Sequence, residues 1–114
     1  MSLKLTNRLV GDVSVVDVAG RITMGEGSSA LRDCMRDMIA KSQRKILLNL
    51  SGVTHIDSSG LGGLVSGLTT VTNAGGQFKL LGLTKCVKDL LAITKLGPVF
   101  DIHEEEAHAI RSFT

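Results

Sequence analysis

Lys45-Ile46-Leu47-Leu48-Asn49-Leu50, followed six residues later by Asp57-Ser58-Ser59-Gly60-Leu61-Gly62-Gly63, is the stretch that decides the fold. Its unbroken aliphatic run predicts a strand covered on both faces, as parallel strands usually are. Asp57 or Ser58 suits a helix N-cap, because either side-chain oxygen can accept from the free N–H groups of a first turn. Behind it Leu61, Leu64, Val65 and Leu68 recur at helical spacing, and Asn73-Ala74-Gly75-Gly76 stops the helix. A buried strand that feeds a helix is half of a βαβ unit.

Working outward, residues 3–10 and 13–19 read as two strands joined by Gly11-Asp12, a pair suited to a type II′ hairpin turn. In the second strand Val13, Val15 and Asp17 alternate with Val16 and Val18, which suits a place near a sheet edge. Residues 20–27 read as a Gly-rich loop, with Ser28 or Ser29 capping a first helix. Leu31, Cys34, Met35 and Met38 form that helix's apolar stripe, and Asp37 and Lys41 form an i,i+4 pair. Residues 51–56 are read as a short connection. Downstream, residues 78–83 predict a strand. Thr84 is read as the cap of a third helix with Val87, Leu90, Leu91 and Thr94 inward, ended by Gly97-Pro98. Residues 99–102 read as a short strand. Glu104, Glu105 and Glu106 then open a last helix, with Arg111 near its end. The order β-β-α-β-α-β-α-β-α predicts an α/β fold: a mixed β-sheet, parallel at its centre, with an antiparallel edge hairpin and about four helices. The length of 114 residues predicts one domain over 1–114.

Composition narrows the function. Hydrophobic residues at 43% and charged residues at 21% describe a globular chain. Three Phe and no Trp or Tyr leave no stacking platform for single-stranded nucleic acid. A net charge of +2 argues against phosphate-driven nucleic-acid binding. No apolar run approaches the ~20 residues of a membrane span, and the first residues lack a signal peptide's apolar stretch. Cys34 and Cys86 lack metal-ligand spacing and read as reduced thiols of a cytoplasmic protein.

Enzyme signatures are missing. There is no Gly-x4-Gly-Lys-Ser/Thr, and Gly60-Leu61-Gly62 has Val65 where a dinucleotide fingerprint needs glycine. Gly63-Leu64-Val65-Ser66-Gly67 is out of register for a nucleophile elbow. His55, Asp57 and Ser58 are too close in sequence for a triad, and the three histidines show no metal-ligand pattern. No catalytic residue, metal or cofactor is expected, and the chain is read as a non-enzyme.

The helix after Asp57 is unusual. Gly60, Gly62, Gly63 and Gly67 each cost up to about 1 kcal/mol against Ala in a helix interior. From Ser58 to Phe78 no residue is charged, and one side carries only Ser59, Gly63, Ser66 and Thr70. Such a smooth face either docks a partner or lies under another part of the same domain. Asp-Ser-Ser is a good helix start on structural grounds alone. A hydroxyl there is also a natural place for phosphate, because a helix N-terminus accepts an anion. The added charge of about −1.5 to −2 would change an interface formed there.

At these residues, with the strand before them, Gly75-Gly76 and Leu96-Gly97, the chain resembles the STAS-domain anti-sigma-factor antagonists, in particular the bacterial single-domain members. The resemblance implies an unphosphorylated protein that binds an anti-sigma factor and so releases a sigma factor. It implies that the anti-sigma factor is also a serine kinase, that Ser58 is the phosphoacceptor, and that a PP2C-type phosphatase reverses the modification. It makes Asp57 the neighbouring acid and places Ser59, Gly60, Leu61, Gly62 and Gly63 in the partner-binding surface. The smooth face adds Ser66, with Gly63 and Ser66 expected to be exposed. A monomer without nucleic-acid or membrane contact is expected. One departure is Thr23 after Gly20-Arg21-Ile22, where many members carry an acid nearby; Glu26 is the candidate replacement. Two other readings are a STAS subunit of a lipid-transport complex bound to its ATPase, with Ser58 only a cap, and a small-ligand or nucleotide sensor.

Overall fold

Gly11 at φ 62° turns β1 (Leu3–Val10) into β2 (Val13–Ile22), and Asp12 has no positive φ, which is the type II′ pattern. The computed structural model describes residues 3–113, apart from the Glu26 side chain. The chain continues through α1 (Glu26–Ala40), β3 (Lys45–Ile56), α2 (Ser58–Asn73), β4 (Gln77–Leu81) and α3 (Lys85–Thr94). A 3-10 turn (Gly97–Val99), β5 (Asp101–His103) and α4 (Glu106–Arg111) complete it. The five strands lie in the order β1-β2-β3-β4-β5. β1 and β2 are antiparallel, and the other neighbours are parallel. This is the expected mixed sheet with its antiparallel hairpin at one edge.

Alternation along the strands divides the core. Val16, Leu48 and Leu80 point to the face that α1, α2 and α3 cover with Leu31, Met35, Leu64 and Leu91. Val13, Val15, Leu47 and Leu81 point the other way, against Ala109 of α4. Val65, Leu68 and Leu90 are half-buried at the rim of the larger core, and Cys34 is half-buried as well.

Several expected boundaries move. Residues 20–22 and 51–56 are strand, because β2 and β3 go on pairing at Gly20↔Val53, Arg21↔His55 and Ile22↔Ile56, past irregularities near Asp17 and Gly20. Close approach requires Gly52 here, since a Cβ would lie 3.0 Å from the Val18 carbonyl oxygen. The cap of α1 is Gly25 at φ 90°, and Ser28 lies inside the helix and is buried. β4 stops at Leu81 because Gly82 takes φ 68°. Thr84 occupies the N-cap position of α3, but its hydroxyl donates to the Val53 carbonyl oxygen at 3.0 Å, across to β3. α3 ends on left-handed Lys95 rather than at Gly97-Pro98. Thr94 is exposed, its hydroxyl donating back to the Leu90 carbonyl oxygen at 2.8 Å. β5 is confined to residues 101–103, with Val99 in the 3-10 turn before it. α4 begins only at Glu106, after Glu104 and Glu105.

Candidate functional site at the start of helix α2

β3 pairs with β4 only as far as Asn49 and runs on beside β2 to Ile56. This extension carries the start of α2 to the C-terminal end of the strands, where the β2–α1 loop also lies. Asp57 joins the two. One carboxylate oxygen accepts from the Gly60 N–H at 2.8 Å, which caps α2. The other accepts from the Met24 N–H at 3.0 Å, which ties down the loop. The Asp57 N–H donates to the Ile22 carbonyl oxygen at 3.4 Å. The N–H groups of Gly60 and then Met24 hold the Asp57 carboxyl below the usual carboxylate range. Its negative charge also sits at the positive end of the helix dipole.

Ser58, the first residue of α2, is exposed, and so is Gly62 one turn on. Asp57, Ser59 and Ser66 are half-buried. Gly60 is buried, and a Cβ there would fall 1.8 Å from the Ile22 carbonyl oxygen, so only glycine fits. Leu61 belongs to the core. Gly63 is also buried and Ser66 only partly accessible, which corrects the expectation that both are exposed. A Cβ on Gly63 would meet Ser28 at 3.5–3.6 Å and Leu31 at 3.7 Å. Small residues on this side of α2 let α1 approach closely, and Gly67 does the same against Met35. Of the smooth face, Gly63 therefore lies in the α1–α2 contact, and Ser59, Ser66 and Thr70 are half-buried.

Met24 went unremarked in the sequence. It is 77% exposed and its backbone is fixed by Asp57. The signal that could have found it is an apolar residue inside a Gly-rich loop. Arg32 of α1 is a second residue beside the site that the sequence pattern does not single out. Its guanidinium lies 3.9 Å from where a Gly62 Cβ would stand, and it makes no ion pair or side-chain hydrogen bond among the described residues. The Glu26 side chain, the candidate replacement acid, lies outside the described residues. His55 shares a 3.1 Å hydrogen bond with the Thr54 hydroxyl. Among the described residues no three His, Cys, Asp or Glu side chains are grouped to hold a metal ion, and no helix is long and apolar enough to cross a membrane.

The STAS domain family matches residues 4–109. A Thermotoga neapolitana protein, provisionally named an anti-sigma factor antagonist, is 36% identical over 74 residues. That match covers 65% of this chain and 66% of the relative, slightly under two thirds of the relative's length. A crystal structure from Thermotoga maritima, under the same provisional name, superposes with a TM-score of 0.82 at 27% identity, over 96% of this chain and 93% of that one. The Bacillus cell fate determinant SpoIIAA in its phosphorylated form superposes with a TM-score of 0.71 at 19% identity, over 96% and 97% of the two chains, a likeness of fold alone.

Proposed function

The chain belongs to the STAS-domain family, and from that premise we propose that it is an anti-sigma-factor antagonist switched off by phosphorylation of Ser58. It works as a single STAS domain, a cytoplasmic monomer that binds an anti-sigma factor when unphosphorylated and so frees a sigma factor. The anti-sigma factor is also a serine kinase. The Ser58 hydroxyl oxygen attacks the γ-phosphorus of the kinase's ATP, ADP leaves, and the hydroxyl proton passes to the kinase. A PP2C-type phosphatase hydrolyses the phosphoester. The catalytic groups belong to those partners, and this chain is a substrate and a binding protein.

The observation that carries the reading is an exposed Ser58 at the first position of a 16-residue helix, beside an exposed Met24 fixed by the same Asp57. Ser58 and Gly62 supply the open part of the partner surface, with half-buried Asp57, Ser59 and Ser66 around them. Gly60, Leu61 and Gly63 shape that surface from below. A phosphate on Ser58 suits the N-terminal end of the helix, so the fold is retained. Arg32, whose guanidinium lies 3.9 Å from where a Cβ on Gly62 would stand one turn on, is the cation proposed to pair with part of its charge. The rest meets the partner as new negative charge in a surface that fitted a neutral hydroxyl.

Incubation with an anti-sigma serine kinase encoded beside this chain, and ATP, tests the site. Mass spectrometry should place one phosphate on Ser58, and Ser58→Ala should bind the kinase yet take up none. Phosphate on Ser59 alone refutes the assignment.

A further inference from the structure

On the edge of the sheet formed by β5, α3 and the 3-10 turn border an open depression of about 550 Å³. Its size and mainly apolar lining match small-molecule sites, which run from about 300 to 1,000 Å³ with a few polar groups fixing orientation. Leu83 and Ile102 line it with Pro98, buried Leu91 forms part of its floor, and the only charged side chains in the lining are Lys88 and Lys95. The nearest carboxylate to Lys88 is Glu104 at 3.9 Å, itself 86% exposed, and Lys95 has no ion pair among the described residues. Lys95 also holds φ 60°, at a helix C-cap where glycine is the least costly residue. The occupant must therefore offer an apolar body and one anionic end. A second copy docked face to face would set this patch against itself, lysines against lysines.

We infer that this depression binds a free fatty acid, its chain against Leu83 and Ile102 and its carboxylate on Lys95, with Lys88 as the second donor. The site is made of elements other than those around Ser58, and it does not depend on the switch proposed there.

The test is an NMR titration of the labelled full chain with sodium dodecanoate below its micellar concentration. Saturable shifts should concentrate at the amides of Leu83, Lys88, Leu91, Lys95 and Ile102. Dodecyltrimethylammonium, with the same tail and the opposite charge, should bind at least about tenfold more weakly. Lys95→Gly should leave the fold intact and weaken dodecanoate about fivefold. Ala92→Trp should fill the depression and abolish binding; if that variant fails to fold, Lys95→Gly decides. Absence of saturable shifts, equal affinity for the cationic amphiphile, or unchanged binding by Lys95→Gly overturns the site. So does concentration-dependent broadening of the same amides without dodecanoate, which marks a second copy as the occupant.

Discussion

Gly60 and Gly62 stand two residues apart in α2 and are held to opposite requirements. A Cβ on Gly60 would overlap the Ile22 carbonyl oxygen, whereas one on Gly62 meets only Arg32, at 3.9 Å. Gly60→Ala should therefore destabilise the protein by about 3 kcal/mol, through a forced shift between β2 and α2. Gly62→Ala should raise stability by up to about 1 kcal/mol, because Ala is the better helix former and nothing crowds it. Denaturant melts of the two variants check both signs. The sequence makes all these glycines conspicuous as poor helix formers, but it does not separate them. The separation depends on Ile22, which is distant in sequence and reaches Gly60 only because β2 continues past Gly20. Ser58 was legible for a simpler reason, since its place at a helix start follows from local capping chemistry alone.

At the scale of elements, the link between the β2–α1 loop and α2 rests on one carboxylate with two jobs. Asp57→Ala should lose the cap, at a cost of about 1 kcal/mol in a chemical melt, and also release the Met24 amide. Asp57→Asn should keep the cap through its remaining carbonyl oxygen but lose the tie to Met24, since an amide nitrogen cannot accept that bond. Hydrogen exchange at Met24 should speed up in both variants, while stability falls clearly only in Asp57→Ala. Exchange at Met24 unchanged in Asp57→Asn contradicts the two-job account. Helices were the legible elements, because stripes such as Leu31, Met35 and Met38 show their period directly. The ends of β2 and β3 were not, because Gly20 and residues 51–56 gain strand structure from each other and not from their own pattern. The uncharged side of α2 announced close approach but not by what; Ser28 and Leu31 of α1 lie against Gly63.

For the whole molecule, α4 on the second face of the sheet is joined to the edge hairpin by Arg8. Its guanidinium donates to Asp17 at 2.8 Å and to Glu106 at 3.0 Å, and Asn49 donates to Asp17 at 2.9 Å. A contact spanning 98 positions leaves no local trace, so the sequence showed Glu106 only as a charge at a helix start. Hydrogen bonds from Arg8 hold both carboxyls below their ordinary values of 3.8 for Asp17 and 4.5 for Glu106. The unfolded chain therefore takes up protons at higher pH than the fold does, so this stabilisation is whole above those values and is lost as pH falls through the lower, folded ones. These side chains are 35–38% exposed, and solvent screening keeps the effect to about 1 kcal/mol or less. In acid melts Arg8→Gln should flatten that part of the stability profile; an unchanged acid limb contradicts the assignment. None of this touches Ser58, at the far end of the strands, where the switch is proposed to act by surface charge without unfolding. The most direct measurement is a calorimetric titration of the anti-sigma partner with the unmodified chain and with the same chain carrying one phosphate on Ser58, each with its thermal melt. Equal melting behaviour and an affinity at least about tenfold lower for the phosphorylated form are expected. Undiminished affinity of the fully phosphorylated chain would contradict the proposed switch.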